Sequence, residues 1–178
     1  KEAENRGKLR GVGIGNNIEG SAPPGQETAK VEIGSDGSAT LYVGSTDQGQ
    51  GHATMYTQIA CEQLGIEPSQ VHVTEGDTST LETGGGTGGS KVSSLGASAV
   101  YEAIRLVLEK GKKIAAHLLE AAESDVAFAD GAFRVVGTDK RIGLAEVARS
   151  EPLSATGTIK TTASTYPCGC HVCEVEID

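Results

Sequence analysis

Two glycine-rich loops contain the residues best suited to bind a ligand. The first loop, Gly44–Gly51, places Gln50 between two glycines, and the second loop runs from Glu75 to Ser90. A strand-like run precedes each loop and a helical pattern follows it. Backbone N–H groups at a helix N-terminus lack partners and the helix dipole is positive there, so such a loop can bind an anion without Lys or Arg. The pattern therefore indicates an anion site, to which the Gln50 amide adds two donors and one acceptor.

The same loops have other interpretations, because glycine-rich segments often only turn the chain. A generic nucleotide or phosphate-binding module would also use them, although neither loop contains the Gly-Lys-Ser or Gly-Lys-Thr of a Walker loop. Gly11–Gly15 lacks the spacing of the dinucleotide fingerprint, and we assign it to a strand or a close-packed segment. The residues alone leave a cofactor site, a generic phosphate site and a non-catalytic structural domain as alternatives.

Hydrophobic periodicity predicts an α/β (α+β-like) fold, with a mixed sheet and β-hairpins packed against two main helices. Alternation on both sides of the turn at Ser35–Ser38 predicts a hairpin that leads into the first loop. Helical spacing runs from Met55 to Leu64 and again from Val100 to Leu119, where Gly111 is expected as a weak point between two helical pieces. The other predicted elements are a strand at Val71–Val73, a hairpin at Val126–Val136, a helix at Leu144–Ala148, and strands at Leu153–Ile159 and His171–Ile177.

The composition argues against nucleic acid and membrane. The 178 residues include 24 Asp+Glu and 15 Lys+Arg, which gives a net charge of -9, and aromatic residues make up 3%. Nucleic-acid surfaces need clustered basic residues and, for single strands, stacking rings. The sequence has no apolar stretch of about 18 residues and no apolar run near its start, so it predicts neither a membrane span nor a secretion signal. Because it also has only four cysteines, we expect reduced thiols and a cytoplasmic location.

The beginning of the chain indicates a segment of a longer protein, because it starts at Lys1 and its only methionine is Met55. Residues 1–10 are charged and aperiodic, and we expect a tail or linker there. Residues 11–178 are then expected to form the domain.

The order of the motifs resembles that of one enzyme family. GSTDQGQGHATMYTQ opens the stretch Gly44–Ala103, which combines a Gly-Gln-Gly turn after a hairpin with a Gly/Ser loop before a long helix. RGVGIGNNIEGSAPPG at Arg10–Gly25 precedes it and CGCHVCEVEID at Cys168–Asp178 follows it, in family order. The sequence is similar to the large subunit of the molybdenum hydroxylases, the group of xanthine dehydrogenase, aldehyde oxidase and carbon monoxide dehydrogenase.

The resemblance implies that residues 11–178 are part of a larger molybdopterin-binding domain. The parent would be an oxidoreductase that hydroxylates aldehydes, purines or other heterocycles with oxygen from water. The implied cofactor is molybdopterin, expected here in its Mo-molybdopterin cytosine dinucleotide form. In the family the Gly-Gln-Gly turn lies against the pterin, and the Gly/Ser loop supplies N–H and hydroxyl groups to the pterin or its pyrophosphate. The implied cofactor contacts are Gln48, Gly49, Gln50, Gly51, Gly88, Gly89, Ser90, Lys91 and Val92.

The resemblance also implies partner subunits, and it implies that the catalytic residues lie in other segments of the enzyme. The partners would be the remainder of the molybdenum-binding subunit and iron–sulfur and flavin subunits or domains. The family's base lies in a Gly-Glu-Pro-Pro segment, and a Gly-Gly-Phe-Gly segment contacts the metal; neither has a counterpart in this sequence. We therefore assign no catalytic residue and expect the chain to be inactive by itself.

Cysteine and histidine residues near the end of the chain could suggest a metal site. In a strand, Cys168 and Cys170 would share one face while His171 and Cys173 would share the other, so the four would not converge on one ion. We therefore expect these cysteines to pack in the protein and to bind no metal. His52, directly after the first loop, is expected either to face the site or to face solvent.

Overall fold

The computed structural model describes residues 2–178, which form four α-helices and nine strands. In chain order these are α1 (Glu2–Asn5), β1 (Leu9–Ile18), β2 (Gly25–Ile33), β3 (Ala39–Val43), α2 (His52–Leu64), β4 (Val71–Glu75), α3 (Ala97–Leu118), β5 (Val126–Ala129), β6 (Ala132–Val135), β7 (Arg141–Gly143), α4 (Leu144–Ser150), β8 (Leu153–Thr161) and β9 (Cys168–Ile177). A short π-helical turn, Val92–Gly96, leads directly into α3.

The main sheet is mixed and has four strands in the order β4-β3-β2-β8. β2 is antiparallel to β3 and to β8, whereas β3 and β4 are parallel and are connected through α2. The alternation of β2 and β3 places Val31 and Leu41 on the covered face, where both are fully buried. α3 packs against β2, β8 and α2, and its Val100 and Val107 are also fully buried. The predicted α/β class, with hairpins and a mixed sheet packed against two main helices, is confirmed.

α3 continues without a break from Ala97 to Leu118, so the predicted weak point at Gly111 is wrong. Gly111 is buried where the ring of Phe133, from β6, meets the helix. A Cβ at this position would lie 2.6 Å from Cζ of Phe133. The glycine therefore makes room for a packed aromatic ring instead of interrupting the helix.

β1 and β9 form a separate two-stranded antiparallel ribbon with exposed side chains. Gly11–Gly15 lies in strand β1, but it is not close-packed, because a Cβ built at its glycines would meet nothing within 4 Å. Cys168, Cys170 and Cys173 are exposed, so the prediction that they pack is wrong. The physical reason is that no second layer within residues 2–178 covers the ribbon. β1 begins at Leu9, inside the expected tail, and the division into tail and domain stays a prediction.

Candidate functional site

Polar residues lie at the same end of three neighbouring strands of the main sheet. Near the start of β2, Glu27 points to the same face as buried Ala29. Directly after β3, Ser45 points to the same face as buried Val43. Glu75, the last residue of β4, pairs with Val43. Glu27 and Ser45 are 5% and 2% exposed. Both glycine-rich loops begin at this end, so buried polar groups lie directly beneath them.

The carboxylate of Asp47 occupies the N-terminus of α2. Its Oδ1 accepts hydrogen bonds from the N–H groups of Gly49 and Gln50, each at 2.8 Å, and of Gly51 at 3.3 Å, while Oδ2 accepts from the N–H of His52 at 3.1 Å. These bonds, chiefly that from Gly49, hold the pKa of Asp47 below its usual value of 3.8. The expectation of free N–H groups in the first loop is therefore wrong, because the protein's own carboxylate already binds them.

The side chain of Gln50 is fixed as a donor. Its Oε1 accepts a hydrogen bond from the N–H of Gln48 at 2.6 Å. The other end of the amide, Nε2, has no partner within residues 2–178. The first loop therefore presents an uncharged N–H donor group, and not an anion-binding backbone, to a ligand.

A polar network connects the first loop with β3, β4 and α2. Glu75 accepts hydrogen bonds from the N–H of Asp47 at 2.8 Å and from the hydroxyl of Ser45 at 3.1 Å, and its Oε1 lies 3.2 Å from Nδ1 of His52. The Ser45 hydroxyl also lies 3.0 Å from that of Tyr56. Burial raises the pKa of Tyr56 to about 12, so the Tyr56 hydroxyl stays neutral. The base of the loop is thus held by side chains from three elements.

His52 faces the interior and not the solvent, since 7% of its side chain is exposed. Nδ1 is directed at Glu75, and Nε2 has no partner within residues 2–178 and is not enclosed. When the ring is neutral and Nδ1–H donates to this carboxylate, Nε2 is an acceptor. His52 lines the same cavity as Gln50, so the expectation that it faces solvent is wrong, and its role in the site stays a prediction.

The second loop is attached to the segment between β1 and β3 through Gly89, Ser90 and Lys91. The resemblance implies all three as cofactor contacts. The three attachments are a hydrogen bond from the Ser90 hydroxyl to Glu19 at 2.7 Å, one from the N–H of Ala22 to the carbonyl of Gly89 at 2.8 Å, and an ion pair of Lys91 Nζ with Glu27 at 3.0 Å. One bond uses the backbone and two use side chains, so both the path of the loop and its side chains are fixed.

Free backbone donors remain in the second loop. The N–H groups of Gly88, Gly89 and Ser90 have no acceptor within residues 2–178. Ser90 has a φ of 52°, in the left-handed region that non-glycine residues seldom adopt. Its hydroxyl proton is directed at Glu19, so the residue can offer a ligand its N–H and an oxygen lone pair. The donors expected for two loops are therefore found in the second.

The two loops touch through their backbones. The N–H of Gly86 donates to the carbonyl of Gly44 at 3.0 Å. A Cβ on Gly44 would overlap the Cα of Gly84, which explains why glycine is needed on both sides of this contact. These glycines allow the two loops to approach each other closely.

A cavity of about 490 Å³ opens between the two loops. Within residues 2–178, its wall takes in every predicted cofactor contact except Gly49 and Gly89. Gly49 shapes the first turn with a φ of 104°, and Gly89 packs against Pro23 in the second. The structure thus brings together the residues that the sequence placed in separate loops. The wall is formed by Gln48, Gln50, Gly51, His52, Met55, Thr87, Gly88, Ser90, Lys91, Val92 and Ser93.

Sequence reasoning did not place Glu27, Ser45 and Glu75 beneath the site, although a signal for their position exists. Glu27, Ser45 and Glu75 extend the apolar alternation of their strands onto polar side chains. A polar residue at a core-facing position needs a partner, and that requirement could have identified all three. Asp47 stood in the first loop as an acidic residue five positions before the first residue of α2, which fits a capping role.

Metal sites and membrane spans are absent from the part of the chain that the structure describes. Within residues 2–178, no group of three or more His, Cys, Asp or Glu side chains could hold a metal ion. None of the helices in these residues has the length and apolar character to cross a bilayer.

Comparison with known proteins gives one consistent result. The profile of the molybdopterin cofactor-binding domain matches residues 1–178. The carbon monoxide dehydrogenase large chain of Hydrogenophaga pseudoflava is 37% identical over 163 residues, which cover 85% of this chain and 20% of that protein.

Solved structures agree in fold and in coverage. A crystal structure of Cu,Mo-CO dehydrogenase superposes with a TM-score of 0.86 at 32% identity, over 99% of this chain and 25% of that one. Quinoline 2-oxidoreductase from Pseudomonas putida 86 gives a TM-score of 0.83 at 31% identity, over 99% and 26%. The chain therefore spans about a fifth to a quarter of the length of these relatives.

Proposed function

Because the chain belongs to the molybdopterin cofactor-binding domain family, we propose that its two loops hold a molybdopterin cofactor in the cavity between them. The resemblance to molybdenum hydroxylases and the molybdopterin interpretation are confirmed over a generic phosphate module or a structural domain, since the family profile matches residues 1–178. The proposed contacts are Gln48, Gly49, Gln50, Gly51, Gly88, Gly89, Ser90, Lys91 and Val92.

The free donors of the second loop carry the proposal. The N–H groups of Gly88, Gly89 and Ser90 have no acceptor within residues 2–178 and lie at the cavity or beside it. An anionic group bound there would accept hydrogen bonds from backbone N–H groups, which suits a chain with a net charge of -9. The first loop offers no such place, because Asp47 occupies its N–H groups. The anionic part of the cofactor therefore belongs at the second loop.

The uncharged part of the cofactor belongs at the first loop. Gln50 offers Nε2 as a donor, and His52 offers Nε2 as an acceptor. Polar but uncharged groups of this kind recognise the edge of a heterocycle without the cost of removing a charge from water. The second loop is thus proposed to bind the anionic group of the cofactor, and the first loop the edge of its uncharged ring.

The intact protein is proposed to be an oxidoreductase that hydroxylates an aldehyde, a purine or another heterocycle. The bound molybdenum cofactor would supply the redox chemistry of that reaction. The residues of this chain bind the cofactor and orient it, and we assign none of them to proton transfer. The catalytic base is proposed to lie outside residues 1–178.

The intact protein is also proposed to act within a larger assembly. The relative in Hydrogenophaga pseudoflava is called a large chain, which supports further iron–sulfur and flavin subunits or domains. Val12, Ile14 and Val172 share one exposed face of the β1–β9 ribbon, and this apolar face suits coverage by the remainder of the molybdenum-binding subunit. The four cysteines are free thiols, which supports the cytoplasm as the location.

Cofactor content of the natural full-length protein tests the proposal. We expect stoichiometric molybdenum by elemental analysis and stoichiometric pterin by fluorescence after oxidation. Hydrolysis of the extracted cofactor is expected to release CMP, because we propose the cytosine dinucleotide form. Release of another nucleotide, or of none, would correct the form of the cofactor but not the binding function.

A matched pair of variants tests the site. Gln50→Ala removes the amide donor at the cavity, and we expect about tenfold weaker retention of pterin. Gln58→Ala, at an exposed position of α2, is expected to retain pterin like the wild type. Full-length wild-type protein without pterin or molybdenum would contradict the proposed function. Equal retention by the two variants would remove Gln50 from the site.

A further inference from the structure

Glu27 is a buried carboxylate on an apolar face. It precedes Ala29 and Val31 in the core-facing row of β2, and 4% of its side chain is exposed. The only cation beside it within residues 2–178 is Lys91, whose Nζ lies 3.0 Å from Oε2 and whose side chain is 15% exposed. A buried carboxylate is costly unless it is paired, so the position of Lys91 and the burial of Glu27 depend on each other.

The ion pair connects three segments that border the site. Oε2 of Glu27 binds Lys91 at the end of the second loop, and Oε1 accepts the N–H of Gly85, within that loop, at 3.4 Å. Gly44, where the first loop starts, lies against the same carboxylate and against Gly84. One side chain on the sheet thus touches the middle and the end of the second loop and the start of the first.

Lys91 lines the cavity, yet its ammonium is committed to Glu27. Moving the ammonium to a ligand would leave Glu27 charged and unpaired in the interior. The loop residues next to Lys91 carry the free backbone donors, Gly88, Gly89 and Ser90. Holding Lys91 therefore also holds these donors at the cavity.

We propose that Glu27 is a positioning residue that acts through Lys91, and that the Lys91 ammonium holds the second loop against the sheet instead of binding the anionic cofactor. This inference rests on the proposed function, because it assumes that the second loop binds the cofactor. It assigns the cofactor's anionic group to backbone N–H groups and leaves the lysine charge neutralised by Glu27. The contact proposed for Lys91 is therefore one of its backbone, which Lys91→Gln keeps.

The experiment removes the two charges separately and together in the natural full-length protein, loaded with its cofactor. Glu27→Gln leaves a buried ammonium without its partner, and Lys91→Gln leaves a buried carboxylate, so each is expected to release pterin about tenfold faster than the wild type. The double variant Glu27→Gln/Lys91→Gln replaces the ion pair by two amides that can bond to each other. We expect its release rate to return to within about twofold of the wild type.

The dependence of release on salt separates positioning from direct binding. If the ammonium contacts the anionic cofactor, the wild type releases pterin faster as salt rises, and the double variant loses that dependence. If Lys91 only holds the loop, the wild type and the double variant respond to salt alike, which is the result we expect. Glu32→Gln, which breaks the exposed pair with Lys30 on the same strand, is the control and is expected to change nothing.

Each outcome decides the inference. Fast release by the double variant, equal to that of Lys91→Gln, would overturn it while leaving the proposed function intact, and so would single variants that behave like the wild type. If the single variants do not fold, the double variant alone decides, by its release rate and its salt response. Wild-type protein that holds no pterin would overturn the proposed function, and this inference with it.

Discussion

The hydroxyl of Thr87 bonds twice to the backbone of Thr46: it accepts the N–H of Thr46 at 3.0 Å and donates to the carbonyl of Thr46 at 2.7 Å. Thr46 belongs to the first glycine-rich loop and Thr87 to the second. A single side chain therefore fixes the spacing of the two loops at the mouth of the cavity.

Thr87→Val removes both bonds and keeps the shape of the side chain. Because two hydrogen bonds are lost at a half-buried position, we expect the free energy of unfolding to fall by about 1–2 kcal/mol, measured by urea denaturation. Pterin retention by the full-length protein should fall as well. Thr87→Ser keeps the hydroxyl and is expected to restore both properties, and Thr78→Val, exposed in the same loop, serves as the control. A stability of Thr87→Val equal to that of the wild type would contradict the coupling of the loops.

Asp47→Asn weakens the group that accepts four backbone N–H groups at the start of α2. The pKa of Asp47 is lowered from 3.8 in the folded state, so its charge stabilises the fold above about pH 3.8 and this contribution is lost as the pH falls through the folded-state pKa. We expect Asp47→Asn to be less stable than the wild type near about pH 7 and the difference to shrink at about pH 3. Urea denaturation at the two pH values measures it. Asp139→Asn, at an exposed position, controls for the loss of one charge. If Asp47→Asn and the wild type differ in stability by the same amount at both pH values, the charge of Asp47 does not stabilise the start of α2.

Glu75→Ala removes the acceptor that three groups share at the base of the first loop: the N–H of Asp47, the hydroxyl of Ser45 and Nδ1 of His52. Since Ser45 and His52 are buried and lose a charged acceptor, we expect a loss of about 2 kcal/mol in the free energy of unfolding. Glu75→Gln keeps an acceptor oxygen and should lose less. The exposed Glu82→Ala is the control. If Glu75→Ala and Glu82→Ala unfold at the same urea concentration, the network does not support the loop.

Gly111→Ala tests why α3 contains a glycine. Alanine favours helix by about 1 kcal/mol, but its Cβ would lie 2.6 Å from Cζ of the fully buried Phe133. We expect overpacking to prevail and thermal unfolding to show a net loss of about 1–2 kcal/mol. Leucine at position 133 leaves more room for the Cβ. Adding Gly111→Ala to the Phe133→Leu variant should therefore cost less stability than Gly111→Ala costs in the wild type. A Gly111→Ala protein more stable than the wild type would support the weak point that the sequence suggested.

Much of the fold could be predicted because the periodicity is clear. The alternation through Val31 and Leu41 gives the first hairpin, and the helical spacing after Met55 gives α2. Gly111 was misinterpreted, because a glycine in a helix has the same sequence signature whether it weakens the helix or admits a ring. The exposure of Cys170 could not be predicted either, because a strand with apolar residues on both faces does not show whether anything covers it.

The sequence by itself determined which residues can form the site, since Gln50 among glycines and the free amides of a Gly/Ser loop are properties of local chain order. It also placed them in the molybdenum hydroxylase family. Only the tertiary structure decided how the two loops lie against each other and against the sheet. The hydroxyl of Thr87 bonds to the backbone of Thr46 in the other loop, and Glu27 reaches the second loop from a strand more than fifty residues away in sequence. These side chains meet their partners only when the sheet has formed, so chain order does not show which residues pair.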